Sequence, residues 1–250
     1  MSSKFQRIVI VGATSSIADH CTKLWLTDNP TELILIGRDL QKLNALINDY
    51  KVRSPKTIFQ SFIVDFLNSN DINKLTKSIC TQSAIDLVLI AHGSLPDQSM
   101  AQKDLVYNAE QIQINAISPV IFAESFVNSL DPNKPSTIAI IGSVAGDRGR
   151  KSNYVYGSAK GLVTRYAQGL QHRLAKSPIR VSLIKPGPTL TPMTENLTSS
   201  KGFANVEDVA KDIVNGVAKS QAVIYTPGKW QIIMMIIRHL PTFIFNKMDI

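Results

Sequence analysis

Three side chains suited to moving a proton lie in the stretch from Gly142 to Lys160: Ser143, Tyr156 and Lys160. Ser143 ends an apolar, strand-like run, Thr137 to Ile141, and Tyr156 and Lys160 stand four apart in a segment that reads as a helix. Residues four apart share a helix face, so a phenol and an ammonium group would point into one space. A nearby cation favours phenolate over phenol and lowers the tyrosine pKa from about 10 toward neutrality, where general acid catalysis is efficient. A serine hydroxyl brought alongside would donate a hydrogen bond to a substrate oxygen as charge develops there. Taken alone, a tyrosine followed four residues later by lysine is also an ordinary solvated helix face. The chemistry therefore depends on what positions the three.

Short apolar, β-branched runs supply the positioning: Ile8 to Val11, Leu33 to Ile36, Ile58 to Val64, Leu87 to Ala91, Thr137 to Ile141, Val181 to Ile184 and Val223 to Tyr225. They alternate with longer segments of helical period. Continuous apolar strands separated by helices predict an α/β, doubly wound Rossmann fold: a mostly parallel seven-stranded sheet with helices on both faces. Such sheets bind ligands at the carboxyl ends of their strands, where the strand order reverses.

The loops at those ends carry candidate ligand contacts. After the first run, Gly12-Ala-Thr14-Ser15-Ser16-Ile17 opens a helix. Small residues there let backbone N–H groups approach a pyrophosphate, and the hydroxyls of Thr14, Ser15 and Ser16 are further donors. The alternative is a plain strand-to-helix turn capped by Thr14 or Ser15. The second run ends in Gly37-Arg38-Asp39, where the adenosine ribose of a dinucleotide would lie. Arginine suits a 2′-phosphate, so Arg38 favours NADP, with NAD the alternative, and Asp39 reads as the N-cap of the next helix. Asp65 either accepts from an adenine amino group or caps the following helix. Ala91 and Gly93 flank His92, and Gly93 lets the backbone approach a cofactor closely. His92 has no evident partner and reads as structural or as a binding contact.

Composition narrows the classes. The chain has 250 residues, 44% of them hydrophobic, which is enough for a sizeable core. Its net charge of +8 suits an anionic ligand or a membrane surface. The basic residues are dispersed, which argues against nucleic acid; the densest group, Arg148, Arg150 and Lys151, lies beside the proposed site. Cys21 and Cys80 form no disulfide framework, and no histidine has metal-ligand spacing, so no metal is expected. The first apolar run is too short for a signal-peptide core, so a cytoplasmic protein is expected.

Taken together, Gly12-Ala-Thr-Ser-Ser-Ile-Ala18, Asp65, Ala91-His-Gly93, Asn115, Ser143, Tyr156-x-x-x-Lys160 and Pro186-Gly-Pro-Thr-Leu-Thr191 resemble the short-chain dehydrogenase/reductase family. The resemblance implies that Tyr156 is the general acid/base, that Lys160 lowers its pKa and holds the nicotinamide ribose, and that Ser143 orients a substrate carbonyl. It also implies that Asn115 helps hold a water in a proton relay and that Pro186, Gly187 and Thr191 sit against the nicotinamide. Departures are Ser16 and Ala18 in the glycine loop, and His92 where asparagine is usual. The stretch Ala145 to Lys160 and the tail Met234 to Lys247 look like the decaprenylphosphoryl 2-keto-erythro-pentose reductases. That likeness implies a keto sugar on a polyprenyl phosphate as substrate and a flavin-dependent oxidase as partner. Rival readings are a reductase of a 3-oxoacyl thioester or small ketone, and a non-catalytic nucleotide-binding subunit of a membrane complex.

Residues 1–228 are predicted to form the dinucleotide-binding and catalytic domain, and 229–250 an apolar C-terminal extension. Trp230 to Ile237 is almost wholly apolar and is followed by Arg238, His239 and Lys247. The run is far shorter than the about 20 residues a membrane span needs. It is expected either to lie in the inner face of a membrane as an interfacial helix, or to dock on the protein's own core or a second subunit of a homo-oligomer. Residues 192–206 read as a substrate lid or as a plain surface loop.

Overall fold

The seven apolar runs are the seven strands of one sheet in a computed structural model, which describes residues 5–195 and 202–248. The strands are β1 (Arg7–Val11), β2 (Glu32–Gly37), β3 (Ile58–Ile63), β4 (Leu87–Ile90), β5 (Ser136–Ile141), β6 (Ile179–Pro186) and β7 (Val223–Thr226). Their order is β3-β2-β1-β4-β5-β6-β7, and every neighbouring pair is parallel. The helices are α1 (Ser16–Leu26), α2 (Leu40–Arg53), α3 (Ser69–Gln82), α4 (Gln98–Ala101), α5 (Leu105–Ile112), α6 (Ser118–Ser129), α7 (Tyr154–Arg173), α8 (Val206–Ala218), α9 (Lys229–His239) and α10 (Thr242–Phe245).

Successive strand residues face opposite ways, which is why the inner strands are apolar at every position. Ile8 and Ile10 of β1 enter one core with Ala18, Cys21 and Trp25 of α1, Leu43 of α2 and Ile213 of α8. Val9 and Val11 enter the other with Ile72 of α3, Phe122 and Phe126 of α6 and Val163 of α7. The chain runs outward from β1 to β3 and returns to lay β4 on the other side of β1. Connections therefore diverge between the carboxyl ends of β1 and β4, and a crevice opens there.

The opposite end of the sheet is fastened by Arg7, which is buried in β1. It pairs with Glu32 and donates to the carbonyls of Ile79 at 2.9 Å and Ser83 at 2.7 Å. These are carbonyls of the last turn of α3, where a cation also meets the negative end of the helix dipole.

The C-terminal helices use their two faces differently. Met234 of α9 is fully buried, and the indole of Trp230 covers Gly187, where an added methyl would lie 1.9 Å from its Nε1. Arg148 donates to the carbonyls of Ile237 at 2.5 Å and Leu240 at 2.6 Å, and its guanidinium lies 3.8 Å above the Phe245 ring. The outer face, with Ile232, Met235, Ile236 and Phe243, is exposed. Among the described residues no helix is long and apolar enough to cross a membrane.

Candidate active site

Ser143, Tyr156 and Lys160 meet at the carboxyl end of β5, lining one cavity of about 200 Å³. Ser143 leaves β5 in extended conformation and starts a short 3-10 turn, Val144–Asp147, accepting from the N–H of Ala145 at 3.1 Å. That turn lies directly on α7: a methyl at Gly146 would be 2.6 Å from the carbonyl of Lys160. From beneath, Asp147 forms a buried pair with Lys185 of β6 and accepts from the Tyr225 hydroxyl at 2.8 Å.

Lys160 is 3% exposed, and its Nζ donates to the carbonyl of Ile141 at 3.1 Å and lies 5.7 Å from the Tyr156 ring centroid. Burial brings its pKa down to about 8. The Tyr156 phenol departs from the sequence expectation, because its pKa is raised, not lowered. Burial is the larger influence, and the adjacent Ser143 hydroxyl works only partly against it. The cation near the ring does not reverse the cost of placing a phenolate out of water. At neutral pH this phenol keeps its proton.

Asn115 belongs to the same cluster. A methyl on Gly93 would lie 2.9 Å from Asn115 Oδ1 and 3.5 Å from Lys160 Nζ, so these groups converge on the open side of Gly93. Asn115 is buried, accepts from the N–H of Ser94 at 2.8 Å, and donates to the Gln111 carbonyl at 3.0 Å. It sits in a π turn, Gln113–Ile117, that widens the helix between α5 and α6. The stretch Gln113-Ile-Asn-Ala-Ile117 has no glycine or proline that would announce the turn.

A second cleft of about 640 Å³ opens over β1, β2 and β4, and it holds Gly12, Thr14, Ser15, Ser16, Ile17, Arg38, Asp65, Ala91, Gly93 and Thr191. Gly12 has φ +76, and a methyl there would lie 2.7 Å from His92 Cβ. Only glycine suits that backbone, and it brings the N-terminus of α1 to the cleft. Ser15 stands at the N-cap of α1 without a side-chain cap bond, so the capping alternative for this loop is not realised. Asp39 caps α2 by accepting from Lys42 N–H at 3.1 Å, as expected. Asp65 accepts from the Leu67 N–H, while Asn68, not Asp65, caps α3. Arg38 is exposed, with its guanidinium 5.8 Å from the Phe66 ring.

His92 is structural in its packing. Its Nε2 is 2.8 Å from Ser118 Oγ, its ring sits edge-on to Phe66 and Phe122, and burial lowers its pKa to about 3. Pro186, Gly187 and Thr191 line the smaller cavity at the end of β6. Thr191 and Met193 face both spaces and so join the two. Of the expected lid, Pro192–Thr194 is a 3-10 turn and Ala204 bridges to Thr189; residues 196–201 lie outside the described residues. Trp230, Phe66 and Ser94 were missed by sequence reasoning, since each acts through a tertiary contact that leaves no local pattern.

Among the described residues no cluster of histidine, cysteine and acidic side chains could hold a metal ion. The cleft does fit a dinucleotide: a helix N-terminus with free hydroxyls, a glycine whose missing side chain keeps the turn low, and a cation at the end of β2.

Comparison with known proteins agrees with this architecture. The chain is 26% identical over 170 residues to an uncharacterized oxidoreductase of Mycobacterium tuberculosis, covering 68% of each. Its fold superimposes on a short chain dehydrogenase from Burkholderia cenocepacia, solved in complex with NADP, with TM-score 0.80 and 15% identity, covering 96% of this chain and 100% of that one. A short-chain dehydrogenase from Sphingobium yanoikuyae, solved with NADPH, matches with TM-score 0.77 and 19% identity over 94% of this chain and 97% of its own. A family model for short chain dehydrogenases matches residues 6–202. The chain therefore belongs to the short-chain dehydrogenase family.

Proposed function

We propose that this protein is an NADPH-dependent reductase of a ketone, in which Tyr156 is the general acid. The observation that carries the reading is the convergence of Ser143, Tyr156 and Lys160 in a cavity that adjoins the cleft of Gly12, Arg38 and Thr191. NADPH, when bound, supplies a hydride to the carbonyl carbon. Gly12, Thr14, Ser15, Ser16 and Ile17 hold its phosphates, Arg38 its 2′-phosphate and Asp65 its adenine; Ala91, Gly93, Pro186, Gly187 and Thr191 line the rest. Binding of NADP or NADPH by structural relatives supports that choice over NAD.

The chain's own work is positioning and proton transfer. Ser143 donates to the substrate oxygen, and Tyr156 donates the proton that leaves an alcohol. The raised phenol pKa keeps that proton in place at neutral pH, which suits the reducing direction. Lys160, charged below about pH 8, steadies the phenolate that forms and holds the nicotinamide ribose. Asn115, packed beside Lys160 at Gly93, orders the water that returns a proton.

The substrate in this reading is a keto sugar on a polyprenyl phosphate, formed by a flavin-dependent oxidase partner that oxidises the same carbon. Residues 1–228 are the catalytic domain and 229–250 an extension that rests on the inner face of the membrane. The exposed Ile232, Ile236 and Phe243, near Arg238, His239 and Lys247, support that placement: apolar groups for the acyl boundary and cations for anionic headgroups. Exposed Leu105 and Val106 on α5 support a subunit contact in a homo-oligomer.

Three outcomes are expected. Tyr156→Phe lowers ketone-dependent NADPH oxidation by about 10²–10⁴-fold with NADP+ affinity retained; near-normal turnover would remove the role given to Tyr156. Arg38→Ala weakens NADP+ binding by roughly 10–100-fold and NAD+ hardly at all, and equal losses in a calorimetric titration would refute the 2′-phosphate contact. Membrane contact is best tested without truncation, because Trp230 and Met234 would go too. The variant Ile232→Glu/Ile236→Glu/Phe243→Glu should lose co-flotation with phosphatidylglycerol vesicles while keeping NADP+ affinity; unchanged flotation ends the membrane reading.

A further inference from the structure

Arg150 is a cation with too few acceptors. It follows the turn that carries Ser143 and lines the same cavity as Ser143, Tyr156 and Lys160. Its Nε is buried without a hydrogen-bond partner. One terminal nitrogen donates to the sulfur of Met234 at 3.6 Å, and a thioether is a weak acceptor. Among the described residues no carboxylate is bonded to it, and the carboxylate of nearby Asp147 is already engaged by Lys185 and Tyr225. Burial lowers the Arg150 pKa, with Asp147 opposing, yet a guanidinium stays charged at any working pH. Arg150 is half-buried, and withdrawing the Nε edge of its guanidinium from water is unfavourable unless an acceptor replaces the lost hydration. Asn153 repeats the pattern on the same cavity wall, where its Oδ1 is buried and unpaired.

Among the described residues no such acceptor meets Arg150 Nε, and Arg150 and Asn153 both line the cavity where a substrate must sit. We propose that Arg150 is a specificity residue that selects an anionic ketone, its guanidinium binding a phosphate or carboxylate carried close to the reacting carbonyl, with Asn153 accepting from a hydroxyl of the same molecule. The inference rests on the reductase reading and narrows its substrate class. A guanidinium presents parallel donors that match two oxygens of either anion, which a point charge does not. On α9, Met234 lies against one terminal nitrogen of the guanidinium. Ile17, Leu95, Met193 and Phe203 add apolar wall to the same cavity, where a charge-assisted bond is less weakened by water.

The test uses full-length protein saturated with NADP+, so that the dinucleotide's own phosphate sites are filled. Calorimetric titrations with dihydroxyacetone phosphate, acetoacetate and uncharged dihydroxyacetone are compared in wild type, Arg150→Met and Arg150→Gln. Wild type should bind at least one of the two anions about ten-fold or more tightly than the neutral ketone, and whichever anion is preferred tells phosphate from carboxylate. Both variants should lose that preference while holding NADP+ as wild type does. Arg150→Met keeps an unbranched stem against Met234, and either variant that retains NADP+ binding decides the matter. An anion preference that survives the substitution, or none in wild type, overturns the proposal. A wild-type protein that binds no NADP+, or a Tyr156→Phe protein that reduces ketones normally, overturns instead the reductase reading beneath it.

Discussion

An ammonium group taken out of water must be held by something, and the carbonyl of Ile141 at the end of β5 holds that of Lys160. Burying it is costly: lowering a lysine pKa from 10.5 to about 8 corresponds to about 3 kcal/mol of lost stability wherever the group is charged in both states. The sign follows from proton counting. Between about pH 8 and 10.5 the unfolded chain binds more protons than the folded one, so stability rises with pH across that window. Below it the full cost remains. A side chain so placed does not stabilise the fold, and its placement makes sense through Tyr156, Asn115 and Gly93, which surround it.

The surrounding structure keeps that arrangement tight. Gly146 lets the turn after Ser143 touch the backbone of α7 at Lys160, and the buried Asp147–Lys185 pair ties the same turn to β6. Arg148 then ties the next residues to the carbonyls ending α9. The turn after Ser143, the sheet and the C-terminal helix are thus linked within a few residues. The tail, which by composition looks like an appendage, places Met234 and Trp230 behind two lining residues of the site, Arg150 and Gly187.

The fold was legible because its cause is local. Strands buried on both faces must be apolar throughout, and each of the seven runs became a strand with ends shifted by at most a few residues. Ser143, Tyr156 and Lys160 were legible because helix spacing and strand ends are written in sequence. The phenol pKa was not, since it depends on the depth of burial and not on the presence of a cation. The π turn at Asn115 was hidden as well: Gln113-Ile-Asn-Ala-Ile117 has no breaker, and the Asn115 amide donates there to Ser94 Oγ and to the Gln111 carbonyl, the first of them a tertiary contact with no local pattern. Trp230 on Gly187 and Arg150 on Met234 join residues far apart in the chain, which no periodicity reports.

The buried, functionally charged lysine is the central claim, and its titration tests it most directly. In protein labelled with 13C at lysine Cε, one resonance should titrate at about pH 8, well below the ordinary 10.5, and be missing from Lys160→Met. A Lys160 resonance that titrates with the surface lysines would mean that the ammonium is solvated and that the site is not assembled as described.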